Sequence, residues 1–325
     1  MSEKLWLGKI RLYALGVCVL LAACSGDPFH SHVAAEKISV APAVAVETAA
    51  SSTNQLERAF DEIIRTVPGR VGVSATVLET GEAVAVNGNE KFPMQSVYKV
   101  PIGMTVLHNV DQKKLTLQQK VQVRKGDFVG RQQHSPVRDQ NPNGTRISVA
   151  ELLRLMISQS DGTATDVLLR LVGGPKAVAE FLREINVKDV TVLSTEKQIG
   201  HDNAEQYRNW SSPVGATILL RAVHEGRGLS RENQKLLLRL MTDTPTGLNR
   251  LKGQLPQDAL VAHKTGSSNT IKGMTAATND IGIIRLPNGK HLAIAVFVSD
   301  SSADQATREG AIARIALAAW NYWNK

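Results

Sequence analysis

The 325-residue chain has only two cysteines, Cys18 and Cys24, both near its start. The roughly 270 residues beyond position 54 therefore cannot form an internal disulfide, and their stability must come from a buried core. Long apolar runs are lacking too. The run Leu12 to Ala23 has 12 residues, short of the ~20 that a membrane-spanning helix needs. No block of like charge occurs, and aromatics are only 4% of the chain, so no basic stripe interleaved with aromatics exists. The net charge of +8 thus reads as a solvated surface, which excludes a nucleic-acid partner. No set of His, Cys and carboxylates has zinc-ligand spacing, so neither a metal nor another cofactor is expected. No internal repeat is found, which argues against a solenoid.

What is present begins with a leader. Lys4, Lys9 and Arg11 precede the apolar run, which has the length of a signal-peptide core and ends in Leu21-Ala22-Ala23-Cys24. That ending resembles the bacterial lipobox, in which cleavage precedes a lipid-bearing cysteine. An ordinary cleavage site and an uncleaved anchor are the alternatives. The expected organisation is a lipoprotein signal peptide over 1–23, a lipid-anchored flexible tether over 24–53, and one folded domain over 54–325. The tether reading rests on residues rich in Ala, Val, Ser and Thr, with Pro28 and Pro42 and no sustained period. Cleavage removes three basic residues and one acidic residue, taking the net charge to +6. Ser25 is not the aspartate that retains lipoproteins at the inner membrane, so a periplasmic protein anchored to the outer membrane through Cys24 is expected, with no other membrane contact.

Periodicity gives the coarse elements. A helix over 54–67 places Leu56, Phe60, Ile63, Ile64 and Val67 on one face. Strands over 70–78 and 82–86 flank a turn at Thr80-Gly81. Helices are predicted over 96–110, 148–159, 163–172, from 175 to about 185, and over 213–225 and 230–241. Strands over 258–264, 274–285 and 291–299 follow, the last two joined at Asn288-Gly289. A helix over 303–323 closes the chain. Strands at both ends with helices between imply an α+β fold, in which one antiparallel sheet built from both chain ends carries an inserted helical region.

Three short motifs carry chemistry. Ser96-Val97-Tyr98-Lys99 at a helix start puts a hydroxyl and an amine at i and i+3, on one face. A serine needs an adjacent base to become a nucleophile, and a lysine serves if its pKa is lowered. The helix N-terminus directs N–H groups toward a developing anion. Ser160-Asp161-Gly162 lies between two helices, where Asp161 and Ser160 are also natural N-caps. Lys264-Thr265-Gly266 ends a predicted strand; glycine there lets a substrate approach the backbone, and Lys264 is placed to hold an anionic group. Each motif alone is weak. A fourth feature is Glu196 in Ser194-Thr195-Glu196-Lys197, followed by Gln206-Tyr207-Arg208-Asn209-Trp210-Ser211.

In this order and on these elements, S-x-x-K, S-D-x and K-T-G resemble the signature of class A serine β-lactamases and penicillin-binding proteins. Together with Thr275-Ala276-Ala277-Thr278-Asn279-Asp280, the segments after Glu196 look most like the PER/VEB-type subgroup. The resemblance covers about 55–325. It implies the DD-peptidase/β-lactamase-like fold, a monomer, β-lactam substrates and antibiotic resistance, with Ser96 as nucleophile, Lys99 as its activating partner, Ser160 as proton relay and Glu196 as the base that activates water. Lys264, Thr265, Gly266 and Ser267 then line the substrate, with the Ser96 and Ser267 N–H groups as oxyanion hole. A cell-wall D,D-peptidase and a non-catalytic β-lactam sensor are the alternatives, and Glu196 argues against the first.

Some positions depart from the family pattern. Gly162 replaces an asparagine that contacts substrate. Gly200 stands where asparagine often helps hold the hydrolytic water, so water activation is expected to be slower or to rely on another group. Asp280-Ile281-Gly282 lacks an arginine found in many relatives, and Arg250 matches the alternative arginine of the PER-like branch, for which an exposed charge is the plain alternative. His134 falls where an aromatic often borders the pocket, or is a solvated loop histidine.

Overall fold

The computed structural model describes residues 55–325. The expected signal peptide, Cys24 and the whole of the expected tether over 24–53 lie outside the described residues. The helix α1 (55–64) leads into a hairpin of β1 (Arg70–Val77) and β2 (Ala83–Val86). Strand β3 (Phe92–Pro93) and a 3-10 turn over Gln95–Tyr98 precede α2 (Lys99–Asp111). The inserted region begins with β4 (Lys120–Val123), α3 (Pro136–Gln140), β5 (Thr145–Ser148) and α4 (Val149–Ser158). It continues through α5 (Gly162–Leu171), α6 (Pro175–Glu184), β6 (Val190–Thr191) and α7 (Glu196–His201). β7 (Trp210–Ser211), α8 (Pro213–Glu225) and α9 (Arg231–Thr242) complete it. The chain then returns as β8 (Val261–Ser267), the small hairpin β9 (Thr270–Ile271) and β10 (Met274–Thr275), β11 (Thr278–Arg285), β12 (His291–Ser299) and α10 (Gln305–Trp323).

The main sheet is antiparallel, in the order β2-β1-β12-β11-β8. Side chains alternate between its faces. From β12, Ile294, Val296 and Val298 meet Leu56 and Phe60 of α1 and Ile312, Ile315 and Trp320 of α10. Ala293, Ala295 and Phe297 point the other way and join the core of the inserted helices. Because both faces are covered, the strand reads as an unbroken apolar run rather than an alternating one. On the helical side, α2 is buried on all sides from Lys99 to Leu107, as a helix surrounded by others must be. Its Pro101 sits in the first turn, where the missing N–H has no partner to lose. Caps set the helix starts: the side chains of Ser148, Asp161 and Ser212 accept from Glu151, Ala164 and Gly215 N–H, and each such cap contributes about 1 kcal/mol.

The α+β architecture is as expected, with differences at particular elements. The helix predicted over 96–110 is a 3-10 turn followed by α2, so Ser96 precedes the α-helix proper. β8 starts three residues later than expected and runs to Ser267, because Lys264 to Ser267 pair with Ile281 to Thr278. Lys264-Thr265-Gly266 therefore lies inside a strand and not at its end. The strand expected over 274–285 is broken: Thr275 bonds back to Ser301 and to β9, and pairing with β8 starts only at Thr278. The short strands β3 to β7 and the short helices α3 and α7 lie, Ser148 apart, in stretches to which periodicity assigns no element, being too short to show a period. No described helix is long and apolar enough to cross a membrane.

Candidate active site

Gln95 adopts φ +47°, a left-handed conformation that strains a non-glycine residue. Its amide is held by a 2.5 Å bond to Gln206 Oε1. This kink presents Ser96, half-buried, just ahead of α2. In a 3-10 turn, residues i and i+3 eclipse, so Ser96 stacks over Lys99, whose Nζ donates to Ser96 Oγ at 2.9 Å. Lys99 is fully buried, and its ammonium also reaches Ser160 O at 2.8 Å, Ser160 Oγ at 3.2 Å and Glu196 Oε1 at 2.8 Å. From the opposite wall, Lys264 Nζ donates to Ser160 Oγ at 3.0 Å. The four residues Ser96, Lys99, Ser160 and Glu196 are thus joined in one network with Lys264. Ser160 enters it in a left-handed conformation, φ +61°. A hydroxyl that accepts from two ammonium groups must direct its own proton away from both.

The charges shape one another. Burial raises the Glu196 carboxyl, but Lys99, the adjacent Tyr98 phenol and Lys264 outweigh it and hold the group below its ordinary value, ionised at neutral pH. Burial, reinforced by Lys99, pushes the Lys264 ammonium well below its usual range, while Asp280 and Glu196 oppose the shift. Behind Lys264 a buried pair, His263 Nδ1 and Asp280, sits at 2.9 Å. The arrangement provides a hydroxyl nucleophile, an amine bonded to it, a carboxylate base and a cationic wall, the set needed for acyl transfer.

The wall strand is held close to the nucleophile. A Cβ on Gly266 would collide with the Met94 carbonyl and lie 3.3 Å from the Ser96 N; only glycine allows this approach. Asn279, paired with Gly266 across the ladder, donates to Pro93 O at 2.8 Å and ties the strand to the turn. Thr265 Oγ1 bonds Thr246 Oγ1 at 2.8 Å, and Ser267 is exposed at the end of β8.

Arg250 is buried, not an exposed charge. It pairs with Glu309 at 3.0 Å and donates to Gly266 O at 3.3 Å, Asn279 O at 2.9 Å and Ser267 Oγ at 2.7 Å. It therefore touches the cleft through Ser267. The His134 side chain is exposed, while its carbonyl accepts from Gly162 N at 3.0 Å. Gly162 is buried as the first residue of α5, and a Cβ there would meet only ordinary contacts at 3.4 Å. Asp161 is structural as well as capping: it accepts from Ser135 Oγ at 3.1 Å and Val137 N at 2.7 Å.

Sequence reasoning missed the residues that support Glu196. Asp166 accepts from the N–H groups of Glu196 at 2.7 Å and Lys197 at 3.0 Å, at the start of α7. Burial and the charge of Glu196 raise its carboxyl to about 6. Asn209 closes the base of the segment, accepting from Leu193 N and Ser194 N and donating to Ser194 O. The Tyr98 hydroxyl is buried without a partner in good hydrogen-bond geometry, and Glu196 is close enough that burial and this carboxylate together push it well above its usual range. No spacing in the sequence links Asp166 or Tyr98 to Glu196; only the packing of α5 and α2 against α7 does.

A profile described as the β-lactamase enzyme family matches residues 55–323. The chain belongs to the class A β-lactamase family. It is 40% identical over 276 residues to the extended-spectrum β-lactamase PER-1 of Pseudomonas aeruginosa, covering 85% of this chain and 89% of that protein. Against β-lactamase VEB-1 of the same organism, identity is 35% over 275 residues, covering 84% and 92%. Among solved structures, a β-lactamase from Chitinophaga pinensis superposes with a TM-score of 0.80 at 44% identity, covering 82% of this chain and 99% of that one. The TLA-1 extended-spectrum β-lactamase superposes with a TM-score of 0.82 at 39% identity, covering 84% and 100%.

Proposed function

We propose that the chain hydrolyses the amide bond of β-lactams through a serine acyl-enzyme and so confers resistance to them. The observation that carries this is the Lys99 ammonium, bonded at once to Ser96 Oγ and to Glu196 Oε1. Ser96 Oγ attacks the strained carbonyl as its proton passes to the basic network of Lys99 and Glu196. The oxyanion is held by the Ser96 and Ser267 N–H groups. The lactam nitrogen leaves with a proton from Ser160 Oγ, which Lys99 Nζ, 3.2 Å away, replaces with the proton taken from Ser96, so that Glu196 is again a carboxylate. Lys264, Thr265 and Ser267 face the substrate carboxylate, with Arg250 orienting Ser267. Glu196 then takes a proton from water, which attacks the ester, and that proton returns through Lys99 to Ser96 Oγ as it leaves. A carboxylate so placed supports an enzyme that clears its ester, over a D,D-peptidase or a sensor that keeps it. The protein is further read as a periplasmic monomer, anchored to the outer membrane by a lipid on Cys24.

The half-reactions separate by substitution. Ser96→Ala is expected neither to turn over a chromogenic cephalosporin nor to gain mass with a penicillin. Glu196→Gln is expected to gain the mass of one penicillin and to release product about 10²–10⁴-fold more slowly. Intact-protein mass spectrometry and steady-state turnover read both. Wild-type turnover by Glu196→Gln would remove Glu196 from the mechanism.

A further inference from the structure

Glu196 and Gly200 are i and i+4 on α7, so a side chain at 200 would share the face that carries the base. That space is filled from another part of the chain. A Cβ on Gly200 would lie 2.6 Å from Gln133 Cδ and closer still to its Oε1. Gln133 Nε2 donates to the Glu196 carbonyl at 2.5 Å and stands 3.5 Å from Glu196 Oε2, the oxygen opposite the one that meets Lys99. The orientation of the amide is fixed, because Oε1 accepts from Gly130 N–H at 3.1 Å and so leaves the NH2 toward Glu196. The loop is pinned in turn by Arg138 Nη1, which donates to Gly130 O at 2.5 Å and Gln133 O at 2.9 Å. A gap of 3.5 Å is long for a direct bond. It is also too short to hold a water in between, but a water lying to one side can accept from Nε2 while donating to Oε2.

We propose that Gln133 is the positioning residue for ester hydrolysis: reaching across Gly200, it holds the Glu196 carboxylate and the water that this carboxylate activates. The proposal rests on Glu196 being the base. It resolves the departure at Gly200, since the missing side chain makes room for an amide delivered from the loop before α3. Lys99 bonds Ser96 directly and without Gln133, whereas the hydrolytic water depends on Glu196, so loss of Gln133 should slow release of the ester more than its formation.

The test uses the full chain and a penicillin, with acylation followed by stopped flow and the ester by intact mass. Gln133→Ala should lower kcat by at least about tenfold and by no more than the general-base limit of about 10⁴, with acylation slowed less than release and the ester accumulating. Gly200→Asn alone should also lower kcat, because its side chain collides with Gln133. Gln133→Ala/Gly200→Asn should recover kcat to within a few-fold of wild type, a rescue that a merely structural role for Gln133 would not yield. Gln133→Glu, which keeps the size but sets a second carboxylate against Glu196, should move the acid limb of the pH–rate profile upward; this variant decides the matter if Gln133→Ala is too unstable to assay. If Glu196→Gln traps the ester while Gln133→Ala clears it at the wild-type rate, Gln133 has no such role and Glu196 keeps its own. If Glu196→Gln turns over normally, both fall.

Discussion

At the scale of single residues, the support beneath Glu196 carries a measurable charge cost. Asp166 accepts two N–H bonds at the start of α7, yet burial and the neighbouring Glu196 raise its carboxyl to about 6. An unfolded aspartate titrates near 4. Between these values the native state binds more protons than the unfolded one, so this group favours folding fully below about pH 4 and loses that contribution as pH rises through about 6. Asp166→Asn should remove this component: a plot of wild-type minus variant Tm should slope downward from pH 4 to pH 6.5 and be flat above it. A flat difference throughout would mean that Asp166 titrates as an ordinary carboxylate. The residues that touch substrate in the proposed mechanism were legible in the sequence through short spacing, Ser96 to Lys99 above all. Asp166, Tyr98 and Gln133 were not, because their partner is distant in sequence and near only in space.

At the scale of elements, Arg250 links the segment before β8 to α10 through Glu309, with both side chains buried. The PER-like resemblance pointed to this arginine for the substrate, and an effect confined to kinetics would follow if it lay free in the cleft. Its burial changes the expectation. Removing one partner leaves a charge buried without its counter-ion, at a cost of about 3–5 kcal/mol, whereas removing both spares that penalty. Arg250→Ala and Glu309→Ala should each lower the urea midpoint strongly, and the double variant should be more stable than the sum of the two losses implies. Strict additivity would show the two groups to be independent. The Glu196 segment gives a similar lesson. Periodicity assigns it no element, but Thr195 and Gln198 form a capping box that starts a six-residue helix too short to leave a hydrophobic period.

At the scale of the whole molecule, the sheet joins both ends of the described chain, with β1 pairing residue by residue to β12. Its two faces meet separate apolar clusters, one with α1 and α10 and the other with the inserted helices. No cysteine lies among the described residues, so this packing stands without disulfides. Both cysteines precede the described residues, and Cys24 is the proposed lipid site. Cys24→Ala should abolish incorporation of radioactive palmitate into the protein expressed in a Gram-negative host, and labelling equal to wild type would sink the anchor reading. The amino-acid sequence by itself determined the helix and strand periods, the α+β class and the three motifs, because these depend on spacings of a few residues along one element. Only the tertiary structure decided that Lys99 faces Glu196, that Arg250 is buried against Glu309 and that Gln133 fills the place left by Gly200. Each of these contacts joins residues 50 to 100 apart, as in the 59 positions between Arg250 and Glu309, and such proximity comes from packing the inserted helices against the sheet, which no local pattern encodes.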